Sequence, residues 1–458
     1  MRPLRKNALV LVSIVIAICG FIAGEKWGLR PIDGAGSPGV YTGVLGDGAD
    51  YEFQVPPAWN GILLLYSHGY VAPGSVNPAV DAGDLETGSW LVQHGYAVAG
   101  SSYASTGWAV EQAVTDQEQT ISRFELLEGR RPASIIAWGH SLGGLVTMEL
   151  AEKDSGQISG ALPLCGVVAG ATPIWNTDLA AMAAFKKLLA PSSNLQLTDI
   201  SDPSANLRQA RSIAFASLST AQGQARLSLV AAIAGIPGWY APGSQQPQSP
   251  KEQVNAQYQW LSVNDLPFFA DFRSELEHRA GGNFSSDSTF NFAAAVHSSP
   301  NMAEITSLYA KAHLSLTKDL NLLASMRRIK ADPAAANYVD TYSGVKGELS
   351  VPVFTMHTIG DGLVPVYNEE LLASKAAEAG SSSMLRQAFV DRAGHCTFSS
   401  AETIAGLKTI IHRVQLGKWS PTSSTSMNLL ARSVGEKYEE FFGPSGTTIV
   451  KPAFVPFH

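Results

Sequence analysis

The stretch IIAWGHSLGG, residues 135 to 144, passes from an unbroken apolar run into the pentapeptide GHSLG, which is centred on Ser141. This pentapeptide has the form G-x-S-x-G, but glycine fills 42 of the 458 positions, and such a match can arise by chance. The surroundings of the stretch therefore decide whether Ser141 is a nucleophile or part of a plain glycine-rich turn.

Strand-like and helical patterns alternate on both sides of this stretch. Apolar runs over residues 61 to 67 and 96 to 104 predict buried strands, and helical patterns follow over residues 110 to 127 and 143 to 153. Strands without polar alternation are typical of a parallel sheet that is covered on both faces. The predicted fold class is α/β, preceded by a β-hairpin that turns at residues 46 to 48.

The alternation stops between residues 169 and 348, where helical segments rich in alanine and leucine replace the buried strands. A helical insertion of roughly 180 residues far exceeds an ordinary crossover, so we expect a cap inserted after the sixth strand. The predicted organisation is a core over residues 39–168 and 349–442, a helical cap over residues 169–348, and an extended tail over residues 443–458.

The N-terminal segment places Arg2, Arg5 and Lys6 before an uncharged apolar run at residues 8–23. This layout is typical of a signal peptide. The run is somewhat shorter than the roughly 20 residues that a membrane-spanning helix needs. Residues 1–30 are therefore predicted to be the signal peptide of a secreted or periplasmic protein, or else an anchor that tethers the chain to a membrane.

Composition and motifs exclude several functional classes. The net charge is −7 and no basic stripe follows the first residues, which argues against a nucleic-acid partner. The chain has no H-E-x-x-H, no paired C-x-x-C, no Walker loop and no strand-following G-x-G-x-x-G. Neither a metal ion nor a cofactor is therefore expected.

In this organisation Ser141 falls between a buried strand and a helix, where a nucleophilic serine occupies a sharp turn flanked by glycines. A serine needs a base to take its proton and an acid to orient that base. The base is predicted to be His395, after the last predicted strand, and the acid Asp361, in the segment HTIGDGLVP at the end of another strand. Asp391, four residues before His395, is the rival candidate for the acid.

Backbone N–H groups are expected to stabilise the negative oxygen that develops on the substrate carbonyl. The residue after the nucleophile, Leu142, is predicted to supply one N–H. The segment SHGY at residues 67 to 70 is predicted to supply the other, from Tyr70 or else from Gly69.

Taken in order, the motifs G-H-S-L-G-G, D-G-x-V-P and the late G-H resemble those of α/β-hydrolase serine hydrolases of the esterase and lipase kind. The resemblance extends over about residues 39–168 and 349–416. It implies a mostly parallel sheet of eight strands, with Ser141, Asp361 and His395 as the catalytic triad. The activity expected is cleavage of a small-molecule carboxylic ester through an acyl-enzyme. A peptidase or amidase of the same fold and a non-catalytic binding protein remain the alternatives.

In a sheet of this kind, the strand that ends near Cys165 lies beside the nucleophile strand, and the loop of His395 returns over the same strand ends. Cys396 is thereby expected close to Cys165. We predict a disulfide between them, with two buried thiols packed as small apolar groups as the alternative.

Overall fold

The computed structural model describes residues 38–153, 156–443 and 446–456. The predicted signal peptide or anchor at residues 1–30, with its apolar run at residues 8–23, lies outside the described residues. Within the described ranges, no helix is both long enough and apolar enough to cross a membrane.

The strands of the described chain are β1 (Gly39–Val44), β2 (Asp50–Val55), β3 (Ile62–Ser67), β4 (Ala97–Ser101), β5 (Ser134–His140), β6 (Gly160–Leu164), β7 (Val353–Gly360), β8 (Leu385–Ala393), β9 (Glu440–Gly443), β10 (Gly446–Ile449) and β11 (Phe454–Val455). Nine of them form one sheet in the order β1-β2-β4-β3-β5-β6-β7-β8-β11, and β9 and β10 form a separate hairpin. Neighbouring strands from β4 to β8 in that order are parallel, whereas β1, β2 and β11 pair antiparallel to their neighbours.

The prediction of eight strands is wrong by one, because the tail contributes β11 to the main sheet. Phe454 pairs with Val390 and Val455 with Phe389, which covers the free edge of β8. An uncovered edge strand presents unpaired backbone groups, so its coverage by a tail segment is physically favourable. A two-residue strand has no recognisable alternation, and the sequence pattern therefore does not reveal it.

The helices of the described chain are α1 (Leu85–Gln93), α2 (Val110–Glu128), α3 (Leu142–Lys153), α4 (Ala171–Leu189), α5 (Pro203–Ser217), α6 (Ala221–Ala234), α7 (Pro250–Trp260), α8 (Arg273–Ala280), α9 (Phe292–His297), α10 (Met302–Lys311), α11 (Leu316–Ala324), α12 (Pro333–Ser343), α13 (Tyr367–Glu378), α14 (Ser400–Leu416) and α15 (Ser424–Arg432). Two short π-helical turns, Leu261–Asp265 and Phe268–Phe272, lie between α7 and α8. Two helices, α14 and α15, follow β8 in the chain.

Apolar side chains on both faces of the sheet explain the unbroken apolar runs. Along β3, Leu63 and Leu65 belong to one buried cluster, whereas Leu64 and Tyr66 belong to the cluster on the opposite face. Successive side chains of a strand point to opposite faces, so a strand buried on both sides has no polar position to spare. The parallel strands therefore hold the loops at their carboxyl ends on a rigid base.

Helices α4 to α12 separate β6 from β7 in the chain and have a buried apolar cluster largely of their own. Several of them begin with a capping side chain. Asp202 and Ser249 accept the backbone N–H groups of Ala205 and Glu252, and each is followed by a proline in the first turn. Both features favour a helix start, since the capping oxygen pairs with a free N–H and proline has none to pair.

Candidate active site

Ser141 lies between the end of β5 and the start of α3, and its backbone φ of 57° is in the left-handed region that residues with a side chain rarely adopt. The flanking glycines make this turn possible. A Cβ atom on either Gly139 or Gly143 would overlap the carbonyl oxygen of Ser67 at the end of β3. The close approach of the turn to β3 therefore excludes a side chain at both positions, and Ser141 is held at the carboxyl end of the sheet.

The side chains of Ser141, His395 and Asp361 form a hydrogen-bonded chain. The Oγ atom of Ser141 lies 2.8 Å from Nε2 of His395, and Nδ1 of His395 lies 2.7 Å from Oδ2 of Asp361. Asp361 follows directly after β7 and is almost completely buried, whereas the His395 side chain is 17% exposed. This geometry lets a base accept a proton from the serine while an acid holds the imidazole in place.

The order of the sheet strands, the strained serine turn after β5 and the order Ser…Asp…His along the chain occur together in one architecture. The chain has the α/β-hydrolase fold. Its sheet is mostly parallel and is accompanied by many helices, as the sequence indicates.

The carboxylate of Asp361 is fixed by backbone groups on the side away from His395. Its Oδ1 atom accepts the N–H groups of Leu363 and Val364, each at 3.0 Å. The rival acid, Asp391, is exposed, and its backbone N–H bonds the carbonyl oxygen of Ala453. Asp361, and not Asp391, is therefore the carboxylate that the structure brings to His395.

The segment predicted to bind the developing oxyanion lies next to Ser141. A Cβ atom on Gly69 would be 3.4 Å from Cβ of Ser141, so the two backbones are nearly in contact. The Nδ1 atom of His68 bonds the carbonyl oxygen of Gly69 at 2.7 Å. Because the carbonyl and the N–H of a trans peptide point in opposite directions, the N–H of Tyr70 faces away from His68. Leu142 is the first residue of α3, where backbone N–H groups have no acceptor within the helix.

Two other histidines near the site, His68 and His140, have surroundings that differ from those of His395. Burial, with a smaller effect from His395, lowers the pKa of His140 to about 3. Burial also lowers the pKa of His68, although its hydrogen bonds with the carbonyls of Gly69 and Ser102 act in the opposite direction. His140 is therefore neutral at physiological pH, and its Nδ1 lies 3.2 Å from the hydroxyl oxygen of Tyr66.

Cys165 and Cys396 are joined by a disulfide in the structure, with their Cα atoms 5.3 Å apart. The Sγ atom of Cys396 lies 3.4 Å from Nε2 of His395. Among the described residues, these two cysteines and His395 are the one group whose chemistry suits a metal ion. Because both sulfurs belong to the disulfide, neither is a thiolate that could bind one.

The helical insertion contacts the core beside the site. The ring of Phe272, in the second π-helical turn, stacks on the ring of Tyr70 with centroids 3.7 Å apart. Farther from the serine, Glu275 accepts the backbone N–H of Trp108 at 2.8 Å, and Arg279 donates to the carbonyl oxygen of Thr106 at 2.9 Å. Aromatic packing and charged hydrogen bonds thus join the insertion to core loops, one of which carries Tyr70.

The loop of Asp361 is also in contact with the insertion. Trp239 and Trp260 pack against the glycines on either side of that aspartate. Burial, together with the charges of Asp178 and Asp361, raises the pKa of Asp265 well above its usual value. The insertion therefore places the carboxyl group of Asp265 within the electrostatic reach of Asp361.

No known protein-family model matches the chain. It is 28% identical over 422 residues to the o-phthalyl amidase of Xanthobacter agilis, a match that covers 85% of this chain and 90% of that protein.

Similar solved structures include feruloyl esterase B from Aspergillus oryzae, with 12% identity, coverage of 81% of this chain and 79% of that one, and a TM-score of 0.39. A carboxyl esterase from Bacillus coagulans has 10% identity, coverage of 83% and 98%, and a TM-score of 0.38.

Sequence reasoning missed a second layer of polar groups behind Asp361, made of His357 on β7 and Glu369 on α13. One signal was present. His357 and Thr355 are polar residues two positions apart in a largely apolar strand, which places both on one face. Buried polar groups need partners, so such a pair indicates a polar network within the core.

Proposed function

We propose that this protein is a serine hydrolase that cleaves a carboxylic ester through an acyl-enzyme, with Ser141 as nucleophile, His395 as general base and acid, and Asp361 as the orienting acid. The observation that carries the proposal is the continuous hydrogen-bonded chain from Ser141 Oγ through both ring nitrogens of His395 to Asp361. A serine hydroxyl is a weak nucleophile unless a base removes its proton during attack, and this chain supplies that base.

In the first half of the reaction, Oγ of Ser141 attacks the carbonyl carbon of the substrate while its proton passes to Nε2 of His395. The carbonyl oxygen becomes an oxyanion that receives the N–H groups of Leu142 and Tyr70, with Gly69 as the alternative donor. The bond from carbon to the leaving oxygen then breaks, and His395 returns the proton to that oxygen. An alcohol leaves, and the acyl group remains on Ser141.

In the second half, His395 takes a proton from water, and the resulting hydroxide equivalent attacks the acyl carbon. The bond from that carbon to Oγ of Ser141 breaks, Oγ regains the proton, and the carboxylic acid leaves. Throughout, Asp361 remains ionised and stabilises the imidazolium that forms twice in each cycle.

Amide cleavage is the second candidate, and the match to an amidase along 85% of this chain favours it. The same residues would act in the same order, with His395 protonating a leaving nitrogen. The name of that relative indicates an o-phthalyl group as the acyl part of its substrate, so an aromatic acyl group carrying a second carboxylate is a rational test compound here.

Two further parts of the proposal concern location and specificity. The apolar N-terminal run and the disulfide at the site favour an exported protein, because disulfides persist in oxidising compartments. The helical insertion over residues 169–348 is proposed to be a cap that shapes the acyl pocket. Its contact with Tyr70 through Phe272 supports that role.

The first test is covalent labelling of the folded protein with a fluorophosphonate, followed by intact mass measurement and peptide mapping. We expect one label, on Ser141, and none on the Ser141→Ala variant. A folded protein that takes no label at Ser141 would contradict the proposed enzyme and favour a binding protein.

The second test separates the ester from the amide. Matched pairs of p-nitrophenyl esters and p-nitroanilides with the same acyl group, including an o-phthalyl pair, are compared by kcat/KM. Ester kcat/KM is expected to exceed that of the matched anilide beyond the ratio of their uncatalysed rates. If kcat/KM, divided by the uncatalysed rate, is instead higher for the anilide than for the matched ester, the protein is an amidase.

A further inference from the structure

A buried histidine and a buried glutamate lie next to Asp361, and the histidine approaches the same carboxylate oxygen as His395. The Nε2 atom of His357 is 3.6 Å from Oδ2 of Asp361, the same oxygen that His395 contacts. The Nδ1 atom of His357 is 3.1 Å from Oε1 of Glu369. His357, Asp361 and Glu369 are each no more than 1% exposed. One oxygen of Asp361 is therefore near two imidazole rings, that of the partly exposed His395 and that of the buried His357.

Counting the hydrogen atoms fixes the protonation of this pair. Nε2 of His357 lies 2.7 Å from the carbonyl oxygen of Val364, which can only accept, so this nitrogen carries a hydrogen. The Oε2 atom of Glu369 receives Nε2 of Gln387 at 2.6 Å and the hydroxyl of Thr355 at 2.5 Å. A second hydrogen must then lie between Nδ1 of His357 and Oε1 of Glu369.

The charges around His357 favour placing that second hydrogen on the imidazole. Burial acts to lower the pKa of His357, but the hydrogen bond and charge of Glu369, with the charge of Asp361, outweigh it and raise the pKa above its usual value. The Oε2 atom of Glu369 accepts two hydrogen bonds and therefore carries no hydrogen itself. Among the described residues, the titratable groups that face His357 are Asp361, after β7, and Glu369, on α13. His395 and Asp265 lie beyond Asp361.

We propose that His357 is a buried imidazolium, paired with the Glu369 carboxylate, and that the pair positions Asp361 and tempers the basicity of His395. The proposal rests on the proposed function in one respect, which is that Asp361 serves His395 in catalysis. His357 and Glu369 are positioning residues, because neither reaches the reacting atoms.

The pair acts on Asp361 in two ways. His357 bonds the carbonyl oxygen of Val364, and the N–H of the same residue bonds Oδ1 of Asp361. Val364 therefore links His357 to the catalytic carboxylate and fixes the loop from residue 361 to residue 364. The positive charge of His357 also attracts the Asp361 carboxylate, and it thereby weakens the attraction between that carboxylate and a protonated His395. Glu369 lies on the far side of His357 from Asp361 and supplies the balancing negative charge.

The protonation state is tested on the unaltered protein. Histidine labelled with ¹⁵N and observed through long-range ¹H–¹⁵N coupling distinguishes a doubly protonated ring from either neutral tautomer. With the His357 signal assigned through its contacts to Val364, we expect both ring nitrogens to be protonated at neutral pH. A ring with one unprotonated nitrogen at that pH overturns the proposal. This result does not depend on whether Ser141 is a nucleophile.

The effect on catalysis is tested with Glu369→Gln, which removes the counter-charge and leaves His357 neutral with its hydrogen on Nε2. Without the positive charge on His357, protonation of His395 becomes more favourable. The rise of kcat/KM on the acidic side of the pH profile (its lower limb) should therefore move to higher pH by about half a unit or more. The matched control is Glu149→Gln, another buried glutamate, which pairs with Lys153 on α3.

We expect the control to keep the wild-type profile. A folded Glu369→Gln protein whose lower limb coincides with that of the wild type overturns the proposal, as does an equal shift in Glu149→Gln. Fluorophosphonate labelling of Ser141 in the same preparations reports separately on the proposed function. If Glu369→Gln fails to fold, the labelled-histidine measurement alone decides the matter.

Discussion

The indole ring of Trp260 lies against the α-carbon of Gly362, so close that a Cβ atom at this position would overlap the ring. Gly362 is the residue after Asp361, and Trp260 is itself fixed by a hydrogen bond of 2.8 Å from its Nε1 to the carbonyl oxygen of Trp239. The helical insertion therefore packs directly against the loop that carries Asp361.

Gly362→Ala should displace either the indole or the acid loop and lower kcat by about tenfold to a hundredfold, because small misplacements of catalytic groups are costly. Steady-state kinetics on a p-nitrophenyl ester measure the change. The control is Gly156→Ala, at a position with open space around its α-carbon. Wild-type kcat in folded Gly362→Ala would show that the contact does not position Asp361.

The triad members should act as a unit. Ser141→Ala and His395→Ala are each expected to reduce kcat by about 10⁴-fold to 10⁶-fold, and Asp361→Asn by about 10⁴-fold. Asp391→Asn, which alters an exposed side chain, should leave kcat within about twofold of the wild type, since surface changes have small effects. A larger loss from Asp391→Asn than from Asp361→Asn would reverse the assignment of the acid.

Removing the Cys165–Cys396 disulfide should affect both stability and rate. The bridge joins residues 231 positions apart, for which the chain-entropy model gives about 5 kcal/mol as an upper figure. Because Cys396 adjoins His395, its loop also gains freedom and kcat should fall. Urea unfolding and kinetics of the Cys165→Ala/Cys396→Ala protein measure both effects.

Treatment of that double variant with reductant is the control, and it should change nothing. Mass spectrometry of the unreduced wild type after alkylation checks the bridge directly. Two alkylated cysteines and no linked peptide would remove the disulfide from the account.

Buried Glu304 should make the protein less stable as pH rises. It is 3% exposed, and burial raises its pKa to about 8, although a hydrogen bond from Gln257 acts in the opposite direction. The folded chain therefore keeps this proton while the unfolded chain releases it above about pH 4.5, so the stabilisation is complete below that pH and is lost towards pH 8.

Glu304→Gln removes this dependence. Between pH 5 and pH 8 the free energy of unfolding of the variant should fall by about 1 to 3 kcal/mol less than that of the wild type. Urea titrations at the two pH values give the comparison. Equal losses in both proteins would mean that the pKa of Glu304 is not raised in the folded chain.

Phe272→Ala should change substrate preference more than stability. Its ring stacks on Tyr70, whose N–H is the proposed oxyanion donor, so its loss should alter the ratio of kcat/KM between short and aromatic acyl groups by about fivefold or more. Phe215→Ala is the control, since Phe215 is 66% exposed on the same insertion. An unchanged ratio in Phe272→Ala would remove this ring from the specificity determinants.

The sequence alone predicted the α/β class and the order of strands and helices around Ser141, because residues that are buried on both faces of a sheet leave an unbroken apolar pattern. It also predicted the position of Ser141, since the sharp turn at this serine needs glycine at positions 139 and 143. It could not predict β11, whose pairing depends on a distant edge, or Glu369, which is one acid among many on helices. Tertiary packing decides which residue pairs with a buried polar group, and the short-range sequence pattern carries no information about that pairing.

The disulfide has a consequence for the integrity of the polypeptide. Residues 165 and 396 lie at either end of the stretch that contains the whole helical insertion, so the bridge turns this stretch into a covalent ring. A protease that cuts one surface loop of the ring leaves the segment with Ser141 and the segment with His395 still linked. Nicked molecules would therefore migrate as one species until a reductant separates them, and a single cut in a loop of the insertion would not divide the protein into two separate fragments.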